Sequence, residues 1–168
     1  MVRPARRDDA ADLARVHIAS WQQAYRHVFP ADFLSGLDVV GRTERFRRSI
    51  EASADLLVAE EERRVVGFCA SGPADDEGWG EVYAIYVHPD HWGRGFGHEL
   101  IAAAENRLAL SGYDRVLLWV IDNHPQARSF YERQGWTLGR PIRIEEIGGV
   151  QVTLVRYEKR LPASSEPS

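Results

Sequence analysis

The sequence predicts an α/β fold in which one mixed β-sheet, part antiparallel and part parallel, is flanked by helices. Strand-like apolar runs and helical patterns follow one another along the 168 residues, an order that one sheet covered by helices satisfies. Two of these runs, Glu81–Val87 and Arg115–Ile121, are separated by a helical segment, so we expect parallel neighbours joined by a right-handed crossover. With 44% hydrophobic residues, the chain can bury the core of one compact domain. We therefore expect a single domain over residues 1–161 and a disordered tail over 162–168.

The first part of the chain predicts a short strand followed by helices. Val2–Arg6 has the pattern of a strand. Asp9–Tyr25 repeats apolar residues at nearly helical spacing, and Asp9 or the residue before it can cap the start of this helix. Two shorter helices are predicted at Ala31–Leu37 and Gly41–Ala52.

The rest of the chain alternates strands and helices. The apolar runs Leu56–Ala59 and Val65–Ala70 flank the charged turn Glu60–Arg64 and predict a hairpin. Glu81–Val87 is the clearest strand of the sequence. Gly148–Gly149 predicts a two-residue hairpin turn. The remaining elements in chain order are a helix at Gly95–Ser111, the strand Arg115–Ile121, a helix from Pro125 to Gly135, and strands at Thr137–Ile147 and Val150–Tyr157.

Composition excludes several classes of protein. No apolar run approaches the roughly 20 residues of a transmembrane helix, and the first residues lack the apolar segment of a signal peptide, so we expect a cytoplasmic protein with no membrane partner. A formal net charge of −4 argues against a nucleic-acid partner. The single cysteine, Cys69, excludes an intrachain disulfide and a multi-thiolate zinc site. His88 and His91 lack a third ligand, so no metal is expected.

A glycine-rich loop between the strand Glu81–Val87 and the next helix predicts an anion site. Gly93, Gly95 and Gly97 alternate along it, which allows the backbone to approach a ligand closely. The first amides of the helix point into the same space, where the helix dipole favours negative charge. The loop lacks the Lys-Ser/Thr of a Walker A motif and the glycine spacing of a dinucleotide fingerprint.

Two segments resemble the signatures of the GCN5-related N-acetyltransferase (GNAT) superfamily. The first is Tyr83-Ala84-Ile85-Tyr86-Val87-His88-Pro89 followed by Gly93-Arg94-Gly95-Phe96-Gly97, and the second is Phe130-Tyr131-Glu132-Arg133-Gln134-Gly135-Trp136. The order of elements also resembles this family over nearly the whole chain. The resemblance implies a GNAT-like acyl-CoA N-acyltransferase fold and acetyl-CoA as co-substrate, held between splayed parallel strands that end at Val87 and Ile121.

The resemblance also implies which residues bind acetyl-CoA. Backbone groups of Ile85 and Val87 would pair with the pantetheine arm, and a backbone N–H near Tyr86 or Val87 would meet the oxyanion. The expected cofactor-binding residues are Ile85, Tyr86, Val87, Gly93, Arg94, Gly95, Gly97, His98, Asn123 and Ala127. Two positions depart from the family pattern. Trp92 stands where Gln or Arg is usual, and Asn123 lies four residues before Ala127 rather than three, so His124 is an alternative to Asn123.

Two side chains are candidates for the chemistry of direct acetyl transfer in a ternary complex. An alkylammonium has a pKa near 10.4, so a base must take its proton, and Glu81 at the start of its strand is the candidate. By the resemblance, Tyr131 would protonate the leaving thiolate. The alternatives are a surface carboxylate for Glu81 and core packing for Tyr131.

The acceptor is expected to be a small cationic amine, such as a polyamine or an amino sugar. Trp21, Tyr25, Phe29 and Tyr83 are its candidate binding residues, because aromatic faces attract alkylammonium groups, although core packing is the alternative. Acidic residues in nearby loops would attract cations. Two other functions stay open, a protein N-terminal or lysine acetyltransferase and a non-catalytic acyl-CoA-binding module. Exposed sheet edges permit a homodimer.

Overall fold

A computed structural model describes residues 1–52 and 54–162 of the chain. It contains seven strands and five α-helices within this part. In chain order they are β1 (Val2–Pro4), α1 (Ala10–Ala24), α2 (Ala31–Ser35), α3 (Val39–Glu51), β2 (Asp55–Glu61), β3 (Arg64–Pro73), β4 (Gly80–Val87), α4 (Phe96–Leu110), β5 (Arg115–Ile121), α5 (Pro125–Arg133), β6 (Thr137–Ile147) and β7 (Val150–Arg160). Disorder was predicted for the tail over residues 162–168. Of these, residues 163–168 lie outside the described residues.

The strands form one mixed sheet in the order β1-β2-β3-β4-β5-β7-β6. The predicted mixed fold with a parallel β4–β5 pair is therefore confirmed. The chain divides into two compact units. The first comprises Met1–Ser71 and Ala84–Ala104, and the second comprises Gly72–Tyr83 and the chain from Glu105 onwards.

The first unit is built on antiparallel pairing of β1 with β2 and of β2 with β3. Its core is made by apolar residues of α1 and these strands, namely Leu13, Val16, Leu56, Val58, Val65 and Phe68. The turn between β2 and β3 is tighter than predicted, because the strands extend to Glu61 and Arg64. Glu62 and Arg63 alone make the turn, with φ of 49° and 65°, as a primed two-residue turn requires. A register shift between Ala59 and Glu60 precedes it.

The predicted capping of α1 by Asp9 is wrong, because Asp9 makes no side-chain cap on that helix. Its carboxylate instead accepts a hydrogen bond from the backbone N–H of Arg6 at 2.7 Å and forms an ion pair with Arg3 at 2.8 Å. Burial alone would raise the pKa of Asp9, but these two hydrogen bonds and the charge of Arg3 outweigh it and lower the pKa. Asp9 thus fastens β1 to the beginning of the helical segment.

The second unit is an antiparallel arrangement of β5, β7 and β6, with β4 added in parallel. Parallel pairing joins Gly80 to Val116 and Glu81 to Leu117 and goes no further along β4 within this unit. The bounds of β5 agree with the prediction, and the hairpin between β6 and β7 turns at Gly148–Gly149 as predicted. None of the helices in the described part of the chain is both long and apolar enough to span a membrane.

Candidate active site

The predicted site residues are distributed over both units. The first unit holds Trp21, Tyr25, Phe29, Ile85, Tyr86, Val87, Gly93, Arg94, Gly95, Gly97 and His98. The second unit holds Glu81, Tyr83, Asn123, Ala127 and Tyr131.

In the first unit, the glycine loop has a backbone conformation that suits an anion. Gly93 and Gly95 have φ of 74° and 90°, in the left-handed region that glycine tolerates far better than other residues. A Cβ atom built at either position meets no heavy atom within 4 Å, so the space beside the loop is open. The 15-residue helix α4 begins at Phe96, and the amides of its first turn have no partner within the helix. This loop can hold an anionic oxygen group.

The carbonyl of Val87, at the end of β4, is engaged by two side chains. The indole N–H of Trp92 donates to it at 2.7 Å, and the hydroxyl of Ser20 lies 2.9 Å from it. Ser20 has only one proton to give and also lies 2.7 Å from the carbonyl of Val16. Trp92 is therefore the dedicated donor, and it connects the start of the glycine loop to the end of β4. The sequence identified Trp92 only as a departure from the family pattern.

Arg94, a predicted cofactor-binding residue, has its guanidinium in an ion pair. Glu61 at the end of β2 accepts two hydrogen bonds from it, one of them 3.0 Å long. The Arg94 guanidinium also lies 5.5 Å from the ring centroid of Phe96. Hydrogen bonding by Arg94 lowers the pKa of Glu61. The Arg94 guanidinium would have to leave this ion pair to bind an anion, whereas the Arg94 backbone amide could donate to an anion without such a rearrangement.

The three predicted acceptor-binding aromatics of the first unit lie together. Trp21 and Phe29 stack with ring centroids 5.6 Å apart, and Tyr25 contacts both rings edge-on at 4.9 and 5.6 Å. Tyr25 and Phe29 are buried in this arrangement. The cluster continues from Trp21 to His17, whose ring lies 5.1 Å from that of Tyr86 on β4.

In the second unit, Glu81 lies in a mixed electrostatic environment. Burial raises the pKa of Glu81, and the negative charges of Asp75 and Asp76 raise it further. Arg143 and Arg156 act in the opposite direction without cancelling the increase. A carboxylate whose pKa is raised is a stronger base, which is the property required to accept a proton from an amine.

Tyr83, the remaining predicted acceptor-binding residue, is half exposed, at 50%. Its hydroxyl donates a short hydrogen bond to the carbonyl of Pro73. Burial raises its pKa, with a further contribution from the charge of Glu81. The Tyr83 side chain thus holds the end of β3 against the start of β4.

Tyr131 lies on α5 and is 9% exposed. Its ring is 6.1 Å from that of Tyr157 and 6.4 Å from that of Trp136. On the same helix, Glu132 accepts a hydrogen bond from the Tyr157 hydroxyl at 2.7 Å, and Arg128 donates to that hydroxyl at 3.1 Å. This network, which sequence reasoning missed, anchors α5 and hence Tyr131 to β7.

The turn before α5 contains the last predicted cofactor-binding residues. Asn123 lies in the turn after β5, His124 precedes the helix, and Ala127 lies in its first turn, behind Pro125. The choice between Asn123 and His124 stays a prediction. Among the described residues, there is no group of three or more His, Cys, Asp or Glu side chains that could hold a metal ion.

Comparison with known proteins gives consistent matches. The family model described as "Acetyltransferase (GNAT) family" matches residues 18–136. The uncharacterized N-acetyltransferase YuaI of Bacillus subtilis is 33% identical over 129 residues, which cover 74% of this chain and 73% of that protein. The mycothiol acetyltransferase of Acidimicrobium ferrooxidans is 33% identical over 124 residues. The match covers 72% of this chain but only 36% of that protein.

Solved structures show the same fold at lower sequence identity. YncA of Salmonella typhimurium, a putative acetyltransferase solved with its cofactor acetyl-CoA, superposes with a TM-score of 0.74 at 18% identity, covering 100% of this chain and 97% of that chain. An N-acetyltransferase from Staphylococcus aureus Mu50 gives a TM-score of 0.76 at 16% identity, covering 96% and 98%.

Proposed function

Because the chain belongs to the acetyltransferase (GNAT) family, we propose that it transfers the acetyl group of acetyl-CoA to the primary amine of a small cationic acceptor. The observation that carries the proposal is the glycine loop. Gly93 and Gly95 adopt left-handed conformations beside open space, directly before the first turn of α4. These backbone groups fit the diphosphate of coenzyme A.

Bound acetyl-CoA would supply a thioester carbonyl that a free amine can attack. The amides of Gly93, Arg94, Gly95, Gly97 and His98 would bind the diphosphate. Ile85 and Val87 would pair with the pantetheine through their backbone groups. An N–H near Tyr86 or Val87 would stabilise the oxyanion.

The proton transfers are assigned to two side chains of the second unit. Glu81 would accept a proton from the acceptor's ammonium group, directly or through water. The amine nitrogen then forms a bond to the carbonyl carbon as the carbon–sulfur bond breaks. Tyr131 would give its proton to the departing sulfur. The second proton lost by the nitrogen, after the bond to carbon forms, would return to the Tyr131 phenolate through solvent, and Glu81 would release the first proton to solvent.

The proposed acceptor carries an alkylammonium group, as polyamines and amino sugars do. Glu81 and Asp75 are the acidic groups that we assign to attracting it, since Asp76 is paired with Arg156 at 2.7 Å and Arg143 acts on Glu81 with the opposite sign. A homodimer and a cytoplasmic location stay predictions alongside this proposal.

A panel of amines tests the proposal. We expect release of coenzyme A from acetyl-CoA when polyamines or amino sugars are added, and a product whose mass is increased by one acetyl group. Acetylation of peptides alone would replace the small acceptor by a protein. Acetyl-CoA binding without any product would indicate the non-catalytic module. Absence of acetyl-CoA binding would contradict the proposal altogether.

Replacing Trp92 with phenylalanine is expected to weaken acetyl-CoA binding two- to tenfold, with little change in kcat. The variant keeps an aromatic ring but lacks the N–H that connects the glycine loop to Val87, and one neutral hydrogen bond contributes about 0.5–1.5 kcal/mol. Calorimetric Kd values and steady-state kinetics give the two quantities. Ser20→Ala is the matched comparison, since it removes the other donor to the same carbonyl. We expect a smaller effect there, and an unchanged Kd in the Trp92 variant would show that the connection is irrelevant to binding.

A further inference from the structure

Helix α3 presents two arginines that no described residue neutralises. The side chains of Arg42 and Arg45 make no hydrogen bond or ion pair with the part of the chain that the structure describes. Arg47 on the same helix is paired with Glu44, and Arg3 in the same unit is paired with Asp9. Arg42 is also half-buried. A partly desolvated cation without a counter-charge is unfavourable, and an anionic ligand would remove this cost.

Arg42 lies on the face of α3 that packs against the aromatic cluster. It precedes Phe46 by four residues, so the two side chains share one helix face. The Phe46 ring lies 6.2 Å from that of His17 and 5.2 Å from that of Phe68. Burial lowers the pKa of Arg42, as does the charge of Arg45. Burial raises the pKa of Tyr86, and the charge of Arg42 acts against that rise.

The same cluster contains further polar atoms without a hydrogen-bond partner. Within the described residues, His17 Nδ1 and Trp21 Nε1 are buried and have no partner of good geometry. The indole N–H of Trp21 lies beside the Tyr86 hydroxyl without completing such a bond. Burial lowers the pKa of His17 to about 3, so its imidazole is neutral at physiological pH. The indole N–H of Trp21 and the guanidinium of Arg42 are both donors without an acceptor of their own among the described residues, so a hydrogen-bond acceptor suits this site.

We infer that Arg42, assisted by Arg45, binds a carboxylate carried by the acetyl acceptor. This inference rests on the proposed function and narrows the cationic acceptor to one with an anionic group besides its amines, as in a diamino acid. Tyr86 lies between Ile85 and Val87, the residues assigned to the pantetheine, so a group bound near its hydroxyl is close to that strand. The diphosphate of the donor is already assigned to the glycine loop, so we assign Arg42 to the acceptor.

Matched pairs of acceptors test the inference, because lysine and cadaverine, or ornithine and putrescine, differ only in the carboxylate. For the wild-type protein, kcat/KM is expected to be about 10- to 100-fold higher for each amino acid than for its diamine, the range for a hydrogen-bonded charge pair. Arg42→Gln should bring this ratio close to one, and Arg42→Lys should restore part of it. Arg48→Gln, at an exposed arginine of the same helix, is the control and should leave the ratio unchanged.

Binding measurements separate failure of this inference from failure of the proposed function. Calorimetric Kd values for lysine and cadaverine, measured in the presence of coenzyme A, report the same preference without turnover. Equal use and equal binding of lysine and cadaverine by the wild type would overturn the inference while leaving acetyl transfer intact. If Arg42→Gln left the ratio of kcat/KM for lysine to that for cadaverine unchanged, the inference would also be overturned. If Arg42→Gln weakened acetyl-CoA binding as much as lysine binding, Arg42 would be assigned to the donor and the inference would be overturned as well. Preferential binding of lysine without acetylation of any amine would support the carboxylate site and contradict the enzyme.

Discussion

Replacing Tyr131 with phenylalanine is expected to lower kcat about 100- to 1,000-fold, the range for loss of a general acid, while the Kd of acetyl-CoA changes less than about twofold. The ring of Tyr131 packs against Tyr157 and Trp136, and phenylalanine preserves that packing. The change removes the hydroxyl and with it the proton offered to the leaving sulfur. Single-turnover kinetics and calorimetry with acetyl-CoA measure the two effects separately.

Tyr157→Phe provides the matched control for this experiment. Tyr157 is fully buried in the same unit and uses its hydroxyl in the network with Arg128 and Glu132. Losing that hydroxyl should lower the free energy of unfolding by about 1–3 kcal/mol and should leave most of the activity. If Tyr131→Phe retained wild-type turnover, Tyr131 would be a packing residue. An equal loss of activity in Tyr157→Phe would assign the effect to the anchoring of α5.

Local patterns were sufficient to predict most elements of the fold. The strand Arg115–Ile121 is a continuous apolar run, and its observed bounds agree with that run. The turn at Gly148–Gly149 depends on two residues that suit positive φ, so its position follows from the sequence. The turn at Glu62 and Arg63 was predicted too long, because neither residue favours positive φ and the pairing of β2 with β3 imposes it.

Contacts between residues distant in sequence could not be predicted in this way. Glu61 meets Arg94 only because the β2–β3 hairpin brings its end beside the glycine loop. No local pattern links residues 33 positions apart. The sequence also does not reveal that Arg42 is unpaired, because α3 contains both arginine and glutamate residues and their pairing depends on side-chain positions. The sequence therefore predicted the backbone of the candidate site better than the engagement of its side chains.

Replacing Glu81 with glutamine is expected to lower kcat/KM about 100-fold or more at neutral pH, since the acceptor's proton loses its base. In the wild type, kcat/KM should fall as the pH drops through the pKa of Glu81, because only the carboxylate accepts a proton. Burial together with Asp75 and Asp76 raises that pKa, so this acid limb should lie above the ordinary range of a glutamate. A profile without an acid limb in Glu81→Gln would agree with this assignment.

The charges around Glu81 allow the sign of this effect to be tested. Asp76→Asn removes a negative charge and also leaves Arg156, 2.7 Å away, without this partner. Both changes lower the pKa of Glu81, so the acid limb should move to lower pH. Arg143→Gln removes a charge that lowers the pKa, so the limb should move to higher pH. Glu77→Gln, in the same loop, is the control and should leave it in place. The direction of each expected shift is set by the sign of the charge removed. If the acid limb of the pH profile stayed at the same pH in both Asp76→Asn and Arg143→Gln, the titrating group would not be Glu81.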